Sequence, residues 1–105
     1  MSAAASVGVV ITTYKRGLEY LPALLRSLQE QTYEDKRITV VVDGGDPDVL
    51  SYLEREWADV EVVSTPEPIG YAGVAALGVK SSQGRYIAML NDDVELEPDW
   101  LEILV

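Results

Sequence analysis

Two adjacent aspartates, Asp92 and Asp93, follow the apolar run Tyr86-Ile87-Ala88-Met89-Leu90, and Glu95, Glu97 and Asp99 come close behind. Neighbouring carboxylates about 5 Å apart repel by roughly 3 kcal/mol at an effective dielectric of about 20. Paired acids at the end of an apolar run therefore need compensation. A hard divalent cation, Mg²⁺ or Mn²⁺, supplies it, because such ions prefer carboxylate and water oxygens. Bulk water around an acidic turn supplies it too. What decides between the two is the company the pair keeps. Thr12, Thr13 and Tyr14 close the run from Val7 to Ile11, Asp43 closes the run from Ile38 to Val42, and Thr65 follows the run from Val60 to Val63.

The elements that must position these groups alternate in type. Val7 to Thr12 and Ile38 to Val42 are continuous β-branched runs, the pattern of strands buried on both faces. Leu18, Leu21, Leu25 and Leu28 recur at helical spacing, with Leu24 widening the stripe and Pro22 read as lying near the first turn. Asp46 and Pro47 fit an N-cap and first helical residue, with Asp48 in the first turn and Leu50, Leu53 and Trp57 continuing an apolar face. Val60 to Val63 reads as a short third strand. Gly70 to Ser82, rich in Ala and Gly, reads as a helix able to lie close against a sheet. Tyr86 to Leu90 is the fourth strand, and Pro98-Asp99-Trp100-Leu101 opens a last helix, whose positive end suits Glu97 and Asp99.

A β-α-β-α-β-α-β order predicts an α/β fold with a mostly parallel, doubly wound sheet and right-handed crossovers. Ligands of such sheets bind beyond the carboxyl ends of the strands. Thr12, Thr13, Tyr14, Asp43, Thr65, Asp92 and Asp93 are then expected along one edge. A dinucleotide site would need a glycine-rich turn after the first strand. Thr12-Thr13-Tyr14-Lys15-Arg16-Gly17 does not provide one, so a diphosphate here would rely on a cation held by Asp92 and Asp93.

Composition narrows the chemistry. The 105 residues suit one domain, and 8 basic against 18 acidic residues give a formal charge of −10. Nucleic acid and anionic membranes are poor partners for such a surface. The absence of Cys and His excludes disulfides, thiolate chemistry, the usual zinc sites and a histidine general base. No apolar stretch approaches the roughly 20 residues of a membrane span, and residues 1–6 have none of the features of a signal peptide. The expectation is a cytoplasmic chain, free or at the inner face of a membrane as part of a larger protein.

Val10-Ile11-Thr12-Thr13-Tyr14-Lys15-Arg16, Val40-Val41-Val42-Asp43-Gly44-Gly45, Gly84-Arg85-Tyr86-Ile87 and Leu90-Asn91-Asp92-Asp93-Val94-Glu95-Leu96 resemble the nucleotide-binding half of family 2 glycosyltransferases with the GT-A fold. The resemblance runs from about Val7 to Leu104. It implies an inverting, metal-dependent transfer of a sugar from a nucleotide diphosphate, most often UDP, to an unknown acceptor. By the same resemblance Thr12, Thr13 and Tyr14 pack around the nucleoside and Asp43 contacts the base. Asp92 lies near the ribose, and Asp93, with Asp92, ligates the Mn²⁺ or Mg²⁺ on the diphosphate. Asp43 before two glycines is equally what a turn former looks like. Lys15 and Arg16 read as surface charges, Asp46 and Asp48 as helix-start residues and Trp100 as core.

Two departures from the family pattern stand out. Ala75-Ala76 replaces an Arg-Asn or Asn-Asn pair found in many members. The chain also ends one helix after the acidic motif, where members continue into an acceptor-binding half with the catalytic base. Residues 1–105 are therefore expected to be the nucleotide-binding portion of a larger glycosyltransferase domain, inactive alone. Glu95 and Glu97 lie in the region of a base, but nothing in the sequence holds them. Leu101, Ile103, Leu104 and Val105 are expected to form an uncovered apolar end, able to seat a second copy. The rival readings are a sugar nucleotidylyltransferase, which should carry a glycine-rich, arginine-bearing loop after its first strand, and a non-catalytic nucleotide-binding or oligomerisation module.

Overall fold

The computed structural model describes residues 6–14, 17–82 and 84–104, with nothing described of the Leu104 side chain; Lys15, Arg16 and Val105 lie outside these residues. Four strands, β1 (Val7–Tyr14), β2 (Lys36–Asp43), β3 (Glu61–Ser64) and β4 (Tyr86–Asn91), alternate with four helices. These are α1 (Gly17–Gln29), α2 (Pro47–Glu56), α3 (Gly70–Ser81) and α4 (Trp100–Leu104). The strands form one sheet in the order β3-β2-β1-β4, every pair parallel. The expected α/β architecture is present, with an all-parallel sheet.

Side-chain alternation divides the core between two faces. Val9 and Ile11 of β1 and Val40 and Val42 of β2 pack with Leu21, Leu24, Leu25 and Leu28 of α1 and Val49 and Leu53 of α2. Val10 and Val41 point the other way and meet Val74 of α3. The sheet is thus wound on both faces, and burial of β1 and β2 on both sides explains their unbroken β-branched runs. Gly78 makes the α3 contact close: a Cβ there would collide with Val10 Cγ1 and press on Val41 Cγ2.

The chain moves outward from β1 through β2 to β3, then returns by α3 to β4 on the far side of β1. The winding reverses between β1 and β4, and the carboxyl ends of those strands make the switch-point crevice where α/β sheets bind ligands. Thr12 pairs with Asn91 and Tyr14 with Asp43. The acidic pair therefore begins one residue beyond the end of β4, at the mouth of that crevice.

Three local expectations need correction. Leu18 is exposed, because Gly17 takes the inward place in the first turn of α1, against Thr13 and Val49. Pro22 lies inside α1, beyond the first turn, where it removes a helical donor for the Leu18 carbonyl. Leu101 is not part of an uncovered apolar end: it is 1% exposed and belongs to the main core, with Trp100 packed against it. Ile103 is exposed as expected.

Leu101 reaches the core because the segment before it is tied down. Gln31, itself buried, donates from Nε2 to the Glu97 carbonyl at 2.6 Å and accepts the Leu101 N–H on Oε1 at 2.9 Å. The Thr32 N–H donates to the Pro98 carbonyl at 2.8 Å. Between β4 and this clamp, Val94 and Leu96 pack inward while Asp93, Glu95 and Glu97 face water.

Candidate functional site

The carboxyl edge of the sheet opens into a cavity of about 420 Å³, within the range of small-molecule sites. Thr12, Thr13, Tyr14, Asp43, Asp92 and Asp93 all line it. Six residues from three separate stretches of sequence are thus gathered at one place by the sheet. Thr12, Thr13 and Asp43 are buried in its walls, Asp92 is half-buried, and Tyr14 and Asp93 are exposed.

Thr13 and Asp92 are joined directly. The Thr13 hydroxyl donates to Asp92 Oδ2 at 2.7 Å, bridging the ends of β1 and β4. Burial pushes the Asp92 carboxyl above the usual aspartate range. The Thr13 hydrogen bond opposes that rise, the Asp93 charge adds to it, and a backbone hydrogen bond at Asp92 itself opposes it. One carboxylate of the pair is consequently oriented and partly desolvated, while its neighbour stands in the solvent-facing mouth.

Asp43 has a different surrounding. Its Oδ1 accepts from the Thr65 hydroxyl at 3.0 Å and from the Ile69 N–H at 2.8 Å, and its Oδ2 accepts from the Gly70 N–H at 3.1 Å. Thr65 in turn accepts the Gly44 N–H at 2.8 Å. Gly44 and Gly45 carry φ of 86° and 63°, so the chain does turn here. Asp43 is more than a turn former, however, because its carboxylate fastens the start of α3 to the sheet edge, a favourable place for negative charge. A carboxylate offers about four acceptor positions, and three are filled. Thr65, expected at this edge, acts through Asp43 and does not itself line the cavity.

The remaining candidates fall outside the crevice. Asp46 caps α2, its Oδ1 accepting from the N–H groups of Asp48 at 2.9 Å and Val49 at 3.4 Å. Glu95 and Glu97 are exposed and do not line the cavity. Ala75 and Ala76 are also absent from its walls, although Val74 beside them is present. Pro68, Gly70, Tyr71, Val74 and Asn91 line the cavity without having been anticipated. The available signal was the return of α3 to the switch point, which obliges its first turn to border the crevice.

The donor set suits a hard cation. Asp92 and Asp93 offer only oxygen, as Mg²⁺ and Mn²⁺ prefer, and their mutual repulsion would be relieved by such an ion. Among the described residues no group of three or more carboxylates converges as a cage, so the remaining ligands would be water and the oxygens of a bound molecule. A larger hollow of about 830 Å³ lies at the opposite end of the strands, lined by Arg26, Lys36, Arg37, Glu34, Glu56 and Trp57 among others. Its charges are of both signs and are mostly exposed, and it is remote from the carboxyl edge. No helix among the described residues is long and apolar enough to cross a membrane.

Comparison with known proteins supplies context for this geometry. The model of glycosyl transferase family 2 matches residues 8–105. A glucosyl-dolichyl phosphate glucuronosyltransferase of Haloferax volcanii is 31% identical over 103 residues, covering 94% of this chain and 33% of that protein. An uncharacterized glycosyltransferase of Haemophilus influenzae is 28% identical over 102 residues, covering 94% of this chain and 31% of that protein. The chain thus spans about a third of the length of these relatives. Among solved structures, S. aureus TarS in complex with UDP superimposes with a TM-score of 0.84 at 19% identity, over 94% of this chain and 30% of that one. TarS in complex with UDP-GlcNAc superimposes equally well.

Proposed function

The chain belongs to glycosyl transferase family 2 and has the GT-A fold, and from this premise we propose that it forms the donor site of an inverting, metal-dependent glycosyltransferase. The donor is a nucleotide diphosphate sugar, with UDP the preferred nucleotide, and the acceptor is bound by other parts of a larger protein. The observation that carries this reading is the gathering of Thr12, Thr13, Tyr14, Asp43, Asp92 and Asp93 around one cavity at the switch point of the sheet.

Each residue then has a task set by its surroundings. Asp43 retains one acceptor position, which suits the N–H edge of a uracil ring. The Tyr14 ring, exposed at the end of β1, offers a flat apolar surface to the nucleoside, and Thr12 and Thr13 close the floor. Thr13 orients Asp92 toward the ribose and the diphosphate. Asp93, in the open mouth, is the principal cation ligand, with Asp92 beside it. A Mn²⁺ or Mg²⁺ ion held there would offset the charge that develops on the departing nucleoside diphosphate. UDP recognition by the TarS structures of the same fold supports the choice of nucleotide.

Calorimetric titration of UDP into the 105-residue chain, with and without Mn²⁺, tests the reading. UDP should bind in a Mn²⁺-dependent manner, and Asp93→Ala should remove that dependence. A chain that binds no UDP under either condition is not a donor site of this kind. UDP affinity indifferent to both Mn²⁺ and Asp93→Ala would remove the acidic pair from the cation role.

A further inference from the structure

Tyr71 is the most exposed tyrosine of those with described exposure at the cavity, at 61% against 47% for Tyr14. It occupies the first turn of α3 and lines the same cavity as Tyr14 and Asp43. Two features fix where it stands. Tyr14 is the register partner of Asp43 on the neighbouring strand, a strand spacing of about 4.8 Å away. Tyr71 follows directly on Gly70, whose N–H is held by Asp43 Oδ2 at 3.1 Å, so its Cα lies one residue step, about 3.8 Å, beyond that anchored peptide. Asp43 therefore has a tyrosine next to it on two backbone elements, one delivered by the sheet and one by the helix.

We propose that Tyr71 is the second aromatic wall of a nucleobase slot, facing the Tyr14 side across the Asp43 carboxylate. This rests on the donor-site reading and deepens it by assigning a base-holding residue on α3. A planar base whose N–H edge meets Asp43 would share the cavity with Tyr14 from β1 and Tyr71 from α3, both of which line it. The mount of Tyr71 is rigid, because Asp43 holds both the Ile69 and Gly70 N–H groups at the start of α3. The backbone that carries the ring is thus already ordered before a base arrives, which limits the ordering cost of stacking to the side chain itself.

Base-on-aromatic stacking corresponds to about 5- to 150-fold in affinity. The test is calorimetry of UDP and, separately, of inorganic pyrophosphate in the presence of Mn²⁺, with the wild-type chain and the variants Tyr71→Ala, Tyr71→Leu and Tyr71→Phe. Tyr71→Ala and Tyr71→Leu should weaken UDP by at least about fivefold while leaving pyrophosphate unchanged, and Tyr71→Phe should retain UDP affinity within about twofold. Wild-type affinity for UDP in both Tyr71→Ala and Tyr71→Leu overturns the assignment and leaves the donor site standing. Equal loss of UDP and pyrophosphate also overturns it, since the ring would then support the cavity as a whole. A wild-type chain that binds no UDP removes the donor site and this slot together.

Discussion

Asp92 is where chemistry and stability meet in this molecule. Burial raises the pKa of its carboxyl and the adjacent Asp93 charge adds to the rise, so the folded chain holds a proton at Asp92 more readily than the unfolded chain does. Stability depends on pH through the difference in protons bound by the two states. With more protons bound when folded, the contribution of Asp92 is fully present below its ordinary value of 3.8 and is lost as pH rises through the higher folded value. Asp92→Asn keeps an acceptor for the Thr13 hydroxyl and abolishes the titration. Its melting temperature should exceed that of the wild-type chain at pH 7, with the difference shrinking as the pH is lowered through the carboxylate range. A variant that melts with the wild-type chain at pH 7 would contradict this account. The residues of the pair were legible because two charges interrupt an apolar run. The use of Asp43 was not, because its donors at Thr65, Ile69 and Gly70 lie 22 to 27 residues away in sequence. Tyr71 was illegible for the same reason: an exposed tyrosine carries no periodicity, and only the return of α3 brings it beside Asp43.

At the scale of elements, α3 borders the crevice with its first turns and packs on the sheet with its later ones. Its contact with the sheet passes through Gly78, where any side chain meets Val10 and Val41. Alanine is the better helix former, and in a solvent-facing helix it would stabilise by about 1 kcal/mol. Here the added methyl forces the helix off the sheet, and overpacking of this kind costs about 1–3 kcal/mol. Gly78→Ala should therefore be destabilising in urea titration, and a neutral or stabilising result would mean that α3 does not approach the sheet so closely. The Ala- and Gly-rich composition announced this closeness. The first three strands were legible in kind from their β-branched runs and β4 from its apolar run, with ends displaced by a residue or two, as at β1, which continues to Tyr14. Leu18 was misjudged because a periodic stripe does not say which leucine at its margin turns inward, and Leu101 because its cover comes from a distant part of the chain. Gly17 displaces the first, and the Gln31 clamp draws in the second.

The whole molecule is held together unevenly in sequence. β1 and β2 pair across one helix, as do β2 and β3, whereas β1 and β4 join residues such as Thr12 and Asn91, and just beyond them Thr13 and Asp92, at a separation of 79. Parallel order was readable from the alternation of elements, but the strand order was not, since nothing local tells β4 to cross to the far side of β1. That distant pairing has a consequence in time. Closing a long loop must precede any reward from its contacts, so β1, β2 and their helices can assemble while β4 is still free. Leu90→Ala in β4 should then act mainly on the rate of unfolding, and Val40→Ala in β2 should slow folding as well, as rapid-mixing kinetics in urea can measure. On this order of events the acidic pair reaches its place last. A chain emerging during synthesis would carry the Asp43 side of the crevice well before the Asp92 side could join it.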